Sequence, residues 1–505
     1  MKTITSTAKT TARALALLST ALAAPLSAQT LDLAWSQDAT GLDPHTQPGF
    51  ATIRLLELMY EPLVRLDEGL ELQPALAESW SFSDDGLQLT FQLDGDAMFH
   101  DGTPVTSADV RASFERILDE ETGAIARANY TSIINIETPD DATVIFELDA
   151  PNAPLLNGLA SVNAAVVPAS AIEAGTLGTQ VIGSGPFTLD ARTPNASANL
   201  SAFDAWHGGD VAYDGINISV LPDETALLAA LRAGQADFAL INDPLVATLV
   251  PRTEGLQLNA APTLSYYVLQ LNAAREPMGE LALRQAIGCA IDRQDVLDAA
   301  LLGEGEVTGP LTSPAYRTDP SGLFCYEQDQ DRARELLAEA GYADGFTATV
   351  IAANGEPPTA SAVAQVIQSQ LSEVGINLEI EMLELSVYID RWLAADFDMA
   401  VALNGGRVDP YTMYNRYWTR DGNLQGVANY IDDTLDTLMN EGRAETDEAA
   451  RAEIFGNFES HLAEMSPWIW LFTGNTYTAQ TEGVSGFVSS PTGTLFGLVD
   501  VTLAE

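Results

Sequence analysis

The sequence predicts an α/β fold, and three observations predict it. Short apolar runs with strand character recur along the whole chain, segments of helical spacing separate them, and glycine closes several of the helices. Residues 31–36 read as the first strand and 53–60 as a helix. Residues 87–93 and 143–148 alternate apolar and polar side chains, the period of a half-buried strand. Residues 224–233 form a helix that stops at Gly234, and 237–241 return as a strand. Residues 266–271 are apolar throughout, as in a buried strand, and 281–302 carry one amphipathic helical pattern. A helix at 331–340 is closed by Gly341. Strands at 347–352 and 377–382 flank a helix at 361–374, and 398–403 follow as a strand. A long helical pattern over 432–465, interrupted near Glu441-Gly442, precedes strands at 468–472 and 476–479. With 505 residues and 46% hydrophobic composition, the chain has apolar surface for a sizeable core.

The first 28 residues stand apart. Lys2, Lys9 and Arg13 are followed by an apolar run over 14–24 and then by Pro25-Leu26-Ser27-Ala28. A basic start, a short apolar run and a small residue at the end define a cleavable signal peptide, with Ala28 as its last residue. The run is too short to span a bilayer, and no cysteine near the junction offers a lipid attachment point. The expectation is a soluble periplasmic protein.

Three of the 23 basic residues lie in that segment, so the rest of the chain holds 20, all arginine, against 71 acids. Such a surface repels nucleic-acid phosphates and anionic lipids, which excludes those partners. The acids are spread along the whole chain, which favours adaptation to a salty medium over attraction of a cationic ligand. The two cysteines, Cys289 and Cys325, are expected to pair in an oxidising compartment.

One local stretch is specific. Phe99-His100-Asp101-Gly102-Thr103-Pro104-Val105 turns after a strand, and Thr106 with Asp109 then opens a helix as a capping box. Upstream stand Tyr60-Glu61-Pro62-Leu63-Val64 and Leu76-Ala77-Glu78-Ser79-Trp80. Downstream follow Gly183-Ser184-Gly185-Pro186-Phe187, Leu231-Arg232-Ala233-Gly234-Gln235-Ala236-Asp237, and the helix from Leu283-Arg284-Gln285-Ala286 to Ala290-Ile291-Asp292-Arg293. Leu337-Ala338-Glu339-Ala340-Gly341-Tyr342 and Val374-Gly375-Ile376 complete the series. In this order the segments resemble the family 5 extracellular solute-binding proteins, the group of dipeptide-, oligopeptide- and nickel-binding proteins, from about residue 31 to the C-terminus.

The resemblance implies a hinged, two-lobe periplasmic binding protein fold. Lobe I would span 29–265, with an extra subdomain at about 75–180, lobe II 266–480, and 481–505 would return to lobe I. The crossings near 264–272 and 476–482 would form the hinge. It implies a periplasmic component of an ABC transporter that captures a small polar solute, a peptide or peptide-like compound, by closure and delivers it to the permease. Alternatives are a ligand-presenting sensor subunit, or a binder of an opine, a sugar or a metal chelate. The expected partners are the solute and the permease subunits, and the protein is expected to be a monomer without cofactor or metal.

Candidate ligand contacts follow from the same reading. Asn404, Gly405, Gly406, Arg407, Asp409 and Tyr411 follow a strand end, where α/β sheets place ligands. The glycines let the backbone approach a ligand, and Arg407 suits a carboxylate. Peptide-binding members carry an acidic residue a few positions before Asp409-Pro410, where this chain has Gly405, Gly406 and Arg407. That difference favours an anionic or neutral polar ligand. Further candidates are Asp43 and His45 after the first strand, Tyr266 and Tyr267 at the first crossing, Asn354, and Tyr414. The four histidines show no metal-ligand spacing, and Gly183-Ser184-Gly185 lacks the flanks of a nucleophile elbow, so no catalytic residue is expected.

Overall fold

The computed structural model describes residues 29–355 and 357–504. The signal peptide expected over residues 1–28, with its cut after Ala28, lies outside the described residues.

An eleven-stranded mixed sheet runs through the molecule. From one edge its strands are Ile376–Leu383, Phe346–Ala353, Met399–Asn404, Leu256–Leu271, Trp468–Thr481, Phe238–Ile241, Thr30–Trp35, Gly215–Val220, Ser197–Ala202 and Phe187–Thr193; Glu306–Val307 pairs with Trp468–Thr481 off this path. Leu256–Leu271 and Trp468–Thr481 are the long central strands, paired antiparallel along nearly their whole length. On one side of them, Thr30–Trp35 lies parallel to both its neighbours and is covered on both faces, which is why it reads as apolar. Leu31, Leu33, Trp35, Ile216 and Phe238 join one apolar cluster there. On the other side, Leu269, Val350, Ile367 and Val401 anchor a second. A separate four-stranded antiparallel sheet, Ala77–Phe82, Gln88–Leu93, Thr143–Leu148 and Ile133–Asp140, packs against the helix Ser107–Leu118 around Phe91, Phe114 and Phe146. Both halves of the capping box are formed at Thr106 and Asp109.

Four elements differ from the sequence reading for identifiable reasons. The first helix is Phe50–Leu56 rather than 53–60. The Met59 carbonyl is taken by the Gly185 amide at 3.0 Å and the Leu58 carbonyl by Phe187 at 3.1 Å, so neither serves a helix. The glycines at 183 and 185 are required there, since a Cβ on Gly183 would lie 1.9 Å from the Met59 oxygen. The pattern at 281–302 divides into Leu281–Ala290 and Arg293–Leu301, where Asp292 accepts from the Gln294 and Asp295 amides. The C-terminal helices are Asp433–Ala444 and Glu448–Met465, broken three residues later than expected and capped by Asp447. Gly442 stays helical because its bare Cα accommodates the Phe455 ring, 2.5 Å from where a Cβ would sit. The strands expected at 266–271, 468–472 and 476–479 are parts of the two long central strands; Pro262 and Gly474 had masked their continuity.

Cys289 and Cys325 form a disulfide with their Cα atoms 4.7 Å apart. Among the described residues no helix is long and apolar enough to cross a membrane.

Candidate functional site

The C-terminal end of Met399–Asn404 opens into a cavity of about 260 Å³. One wall comes from Phe50, Glu57, Tyr60, Arg65 and Asn157, with Thr492, Thr494 and Phe496 returning from the C-terminus. The other comes from Leu385, Tyr388, Ile389, Trp392, Asn404, Gly405, Gly406, Arg407, Arg416 and Tyr417. Hydrogen bonds join the walls away from the cavity: Asn415 Nδ2 donates to Asn129 Oδ1 at 2.8 Å, and the Ala153 amide to the Arg443 carbonyl at 3.0 Å.

The helix Pro410–Trp418 positions much of the second wall. Asp409 caps it, accepting from the Tyr411 amide at 2.8 Å, and Pro410 fills the first helical position, where its missing N–H costs nothing. Arg407 precedes the helix and Arg416 lies on it. Among the described residues Arg407 makes only a long hydrogen bond to the Gly406 carbonyl, 3.4 Å, and no ion pair. Burial and then the neighbouring Arg416 charge pull its pKa down to about 10. Arg416 stacks over the Tyr417 ring at 4.9 Å, and its Nε has no hydrogen-bond partner among the described residues. Across the cavity, burial pushes the Glu57 carboxyl above the usual carboxylate range, against the pull of Thr494, Arg54 and Arg407, and one of its oxygens is unpartnered among the described residues. Trp392 donates to Gln270 Oε1 at 2.6 Å and presents its ring to the cavity.

Of the residues singled out from sequence, Asn404, Gly405, Gly406 and Arg407 line this cavity. The others lie outside its lining. Asp43 pairs with Arg116 at 2.5 Å, and His45 is fully buried between Arg116 and the Ala165 carbonyl. Burial, aided by the Arg116 charge, holds the His45 imidazole down at about 4. Tyr266 accepts from Asn404 Nδ2 at 3.3 Å inside an aromatic core, and Tyr267 bonds the Thr359 hydroxyl at 2.7 Å. Asn354 is exposed in a loop. Asp409 faces Arg451, and Tyr411 and Tyr414 are buried with Trp470 and Phe458. Gly406 has a different task from the one expected: its bare Cα lies against the Leu264 carbonyl, 1.8 Å from where a Cβ would sit.

Sequence reasoning missed Glu57, Tyr388, Trp392 and Arg416. For Arg416 a signal was present, because Asp409-Pro410 is a helix start and fixes position 416 nearly two turns on from Asp409. The helix Leu385–Leu393 went unread although its apolar residues recur at helical spacing.

A charged cluster lies beside the cavity. His207 sits between Glu61 at 3.1 Å and Asp94 at 2.9 Å, with Trp206 also donating to Glu61 at 3.1 Å. Burial alone would lower the imidazole, but the Glu61 and Asp94 contacts outweigh it and raise it to about 9. A folded-state value above the unfolded one gives stability that is full below about pH 6.5 and is lost as pH rises through about 9. The expected loss between those limits is about 2–3 kcal/mol. Melting curves from pH 6.5 to 9.5 should therefore fall more steeply for the native protein than for His207→Gln; parallel curves would remove His207 as the cause.

Two lobes on a shared sheet, with an inward-facing cavity lined from both, define a solute-binding protein. The family of bacterial extracellular solute-binding proteins, family 5, matches residues 71–425, and the chain belongs to it. It is 26% identical over 488 residues to the glutathione-binding protein GsiB of Escherichia coli K12, covering 92% of this chain and 93% of that one. Among solved structures it is similar to AgaA from A. tumefaciens R10 in complex with agropinic acid: 29% identity, TM-score 0.88, 94% of this chain and 99% of that one. It also superposes on DppA from Helicobacter pylori in complex with the peptide STSA, at 23% identity and TM-score 0.85, over 94% of this chain and 98% of that one.

Proposed function

We propose that this chain is the periplasmic component of an ABC importer, closing over one small polar solute and handing it to the permease. The observation that carries the reading is the cavity whose two walls come from opposite sides of the central strand pair. Closure excludes water, so a few aligned polar groups fix the solute, and binding shifts the population toward the closed form. The lobe division at 265/266, with 481–505 returning, is supported by the strand Leu256–Leu271. Its first eight residues are partly exposed or exposed, its last eight are buried, and its register slips between Pro262 and Tyr266. A slip in that ladder is a fitting place for two lobes to turn. Non-enzymatic action and a monomeric state belong to the same proposal.

The test is titration of the processed protein with peptides, carboxylated amino-acid derivatives, sugars and metal chelates, followed by tryptophan fluorescence and melting. A solute at about 100 times its Kd raises stability by about 2.7 kcal/mol. Binding should alter the Trp392 emission and leave Trp392→Phe silent. No response from any class would defeat the reading. Export is tested separately: N-terminal sequencing of periplasmic protein should begin at Gln29, and retention of residues 1–28 in the cell-associated fraction would refute it.

A further inference from the structure

We infer that the cavity selects an amino-acid derivative with more acidic than basic charge, its carboxylate held between Arg407 and Arg416 and its nitrogen on Glu57. The inference rests on the solute-binding reading of the same cavity.

Described acids outnumber described arginines more than threefold, yet Arg407 and Arg416 make no ion pair among the described residues. Other buried and half-buried arginines are satisfied within the chain, Arg116, Arg192 and Arg451 by carboxylates at 2.5–2.7 Å and Arg284 and Arg293 by several backbone carbonyls each, whereas Arg407 has one long bond to a carbonyl. Two guanidiniums that stay unpaired in so acidic a chain, on the same wall of one cavity, await an anion from outside. Gly405 leaves room beside the guanidinium: a Cβ there would stand 3.8 Å from Arg407 Nη1 and 3.7 Å from the Phe50 ring.

Glu57 lies on the opposite wall, where Arg54 on its own helix and then Arg407 across the cavity act on its charge. Its unpartnered oxygen is a free acceptor. Opposite charges that face one another without touching fit a ligand that bears the complement of both. Asp38 and Glu61, which also line the cavity, are engaged by Arg192 and His207, and Arg65 stacks on Phe496, so Arg407 and Arg416 against Glu57 leave a positive surplus that a net-acidic ligand neutralises. Tyr388, Trp392 and Phe50 offer apolar surface for its carbon skeleton. The volume, about 260 Å³, limits that skeleton to a compact one.

The experiment is calorimetric titration of the processed protein with a set of N-carboxyalkyl amino acids, N-(carboxymethyl)-L-glutamate among them. Amine-free glutarate and tricarballylate, and neutral maltose, form the comparison set. Native protein should prefer the amine-bearing acids by at least about tenfold. Glu57→Gln should abolish that preference while still binding the amine-free acids. Arg407→Met and Arg416→Met should each weaken all acids by about tenfold or more, with melting midpoints confirming that every variant folds. Unchanged affinity in either arginine variant, or a preference that survives Glu57→Gln, overturns the inference. Binding of maltose or peptides with no response to any acid also overturns it while leaving solute capture standing; silence from every class defeats both.

Discussion

Asp409→Ala should destabilise the protein by about 3–5 kcal/mol, because it strands a buried guanidinium. Asp409 Oδ2 and Oδ1 accept from Arg451 Nη1 at 2.6 Å and Nη2 at 3.0 Å, and the two side chains are 3% and 6% exposed. Arg451 also donates from Nε to the Gly442 carbonyl at 2.6 Å and from Nη1 to the Tyr316 hydroxyl, neither of which carries a charge to replace the carboxylate. The same substitution deletes the cap of Pro410–Trp418, a further loss of about 1 kcal/mol. Asp409→Asn keeps an acceptor for the Tyr411 amide and should fall between the two. Denaturant midpoints measure all three proteins; an alanine variant within about 1 kcal/mol of the native one would show that the pair contributes little.

Gly406→Ala should be the more damaging of two otherwise similar changes. A Cβ there meets the Leu264 carbonyl oxygen at 1.8 Å and the Leu264 Cβ at 2.7 Å, so either the central strand or the Arg407 loop must move. Forced overpacking of this kind costs about 1–3 kcal/mol. Binding should suffer beyond that, since the loop that shifts carries Arg407. Gly405→Ala is the control, with its nearest neighbours 3.7 Å away at the Phe50 ring. Melting and titration side by side should separate them. Equal behaviour of the two variants would mean that the contact with Leu264 does not constrain the loop.

The fold was legible where periodicity alone decides. Thr30–Trp35, Glu224–Arg232 and Ala360–Glu373 bury a face that the residue pattern announces, and the Thr106–Asp109 box declares its own helix. What stayed hidden depends on partners distant in sequence. The end of Phe50–Leu56 is set by amides at 185 and 187, and the merger of the late strands by a ladder to residues 256–271. The site divided in the same way. Arg407 stood out because its residue type is unexpected beside two glycines. Asp43 and His45 matched a loop after a strand equally well, yet Arg116, arriving from a helix 71–73 positions away, claims both. Glu57 could not be singled out among so many acids, because being unpartnered is a property of its surroundings and not of its neighbours in sequence.

The pairing of the two long central strands also bears on how the chain is made. Asn259 and Gln480, which bond across that ladder at 2.9 Å, are 221 positions apart. Trp468–Thr481 is synthesised almost last, so Phe238–Ile241 and Leu256–Leu271 wait with open edges until it arrives. Closing so long a loop is slow, and unpaired edges invite association with other chains. The contacts that lock the sheet cannot form until nearly all of the chain has been made. A chain ending before Trp468 should therefore collapse without cooperative melting and aggregate, whereas one lacking only the last few residues should fold.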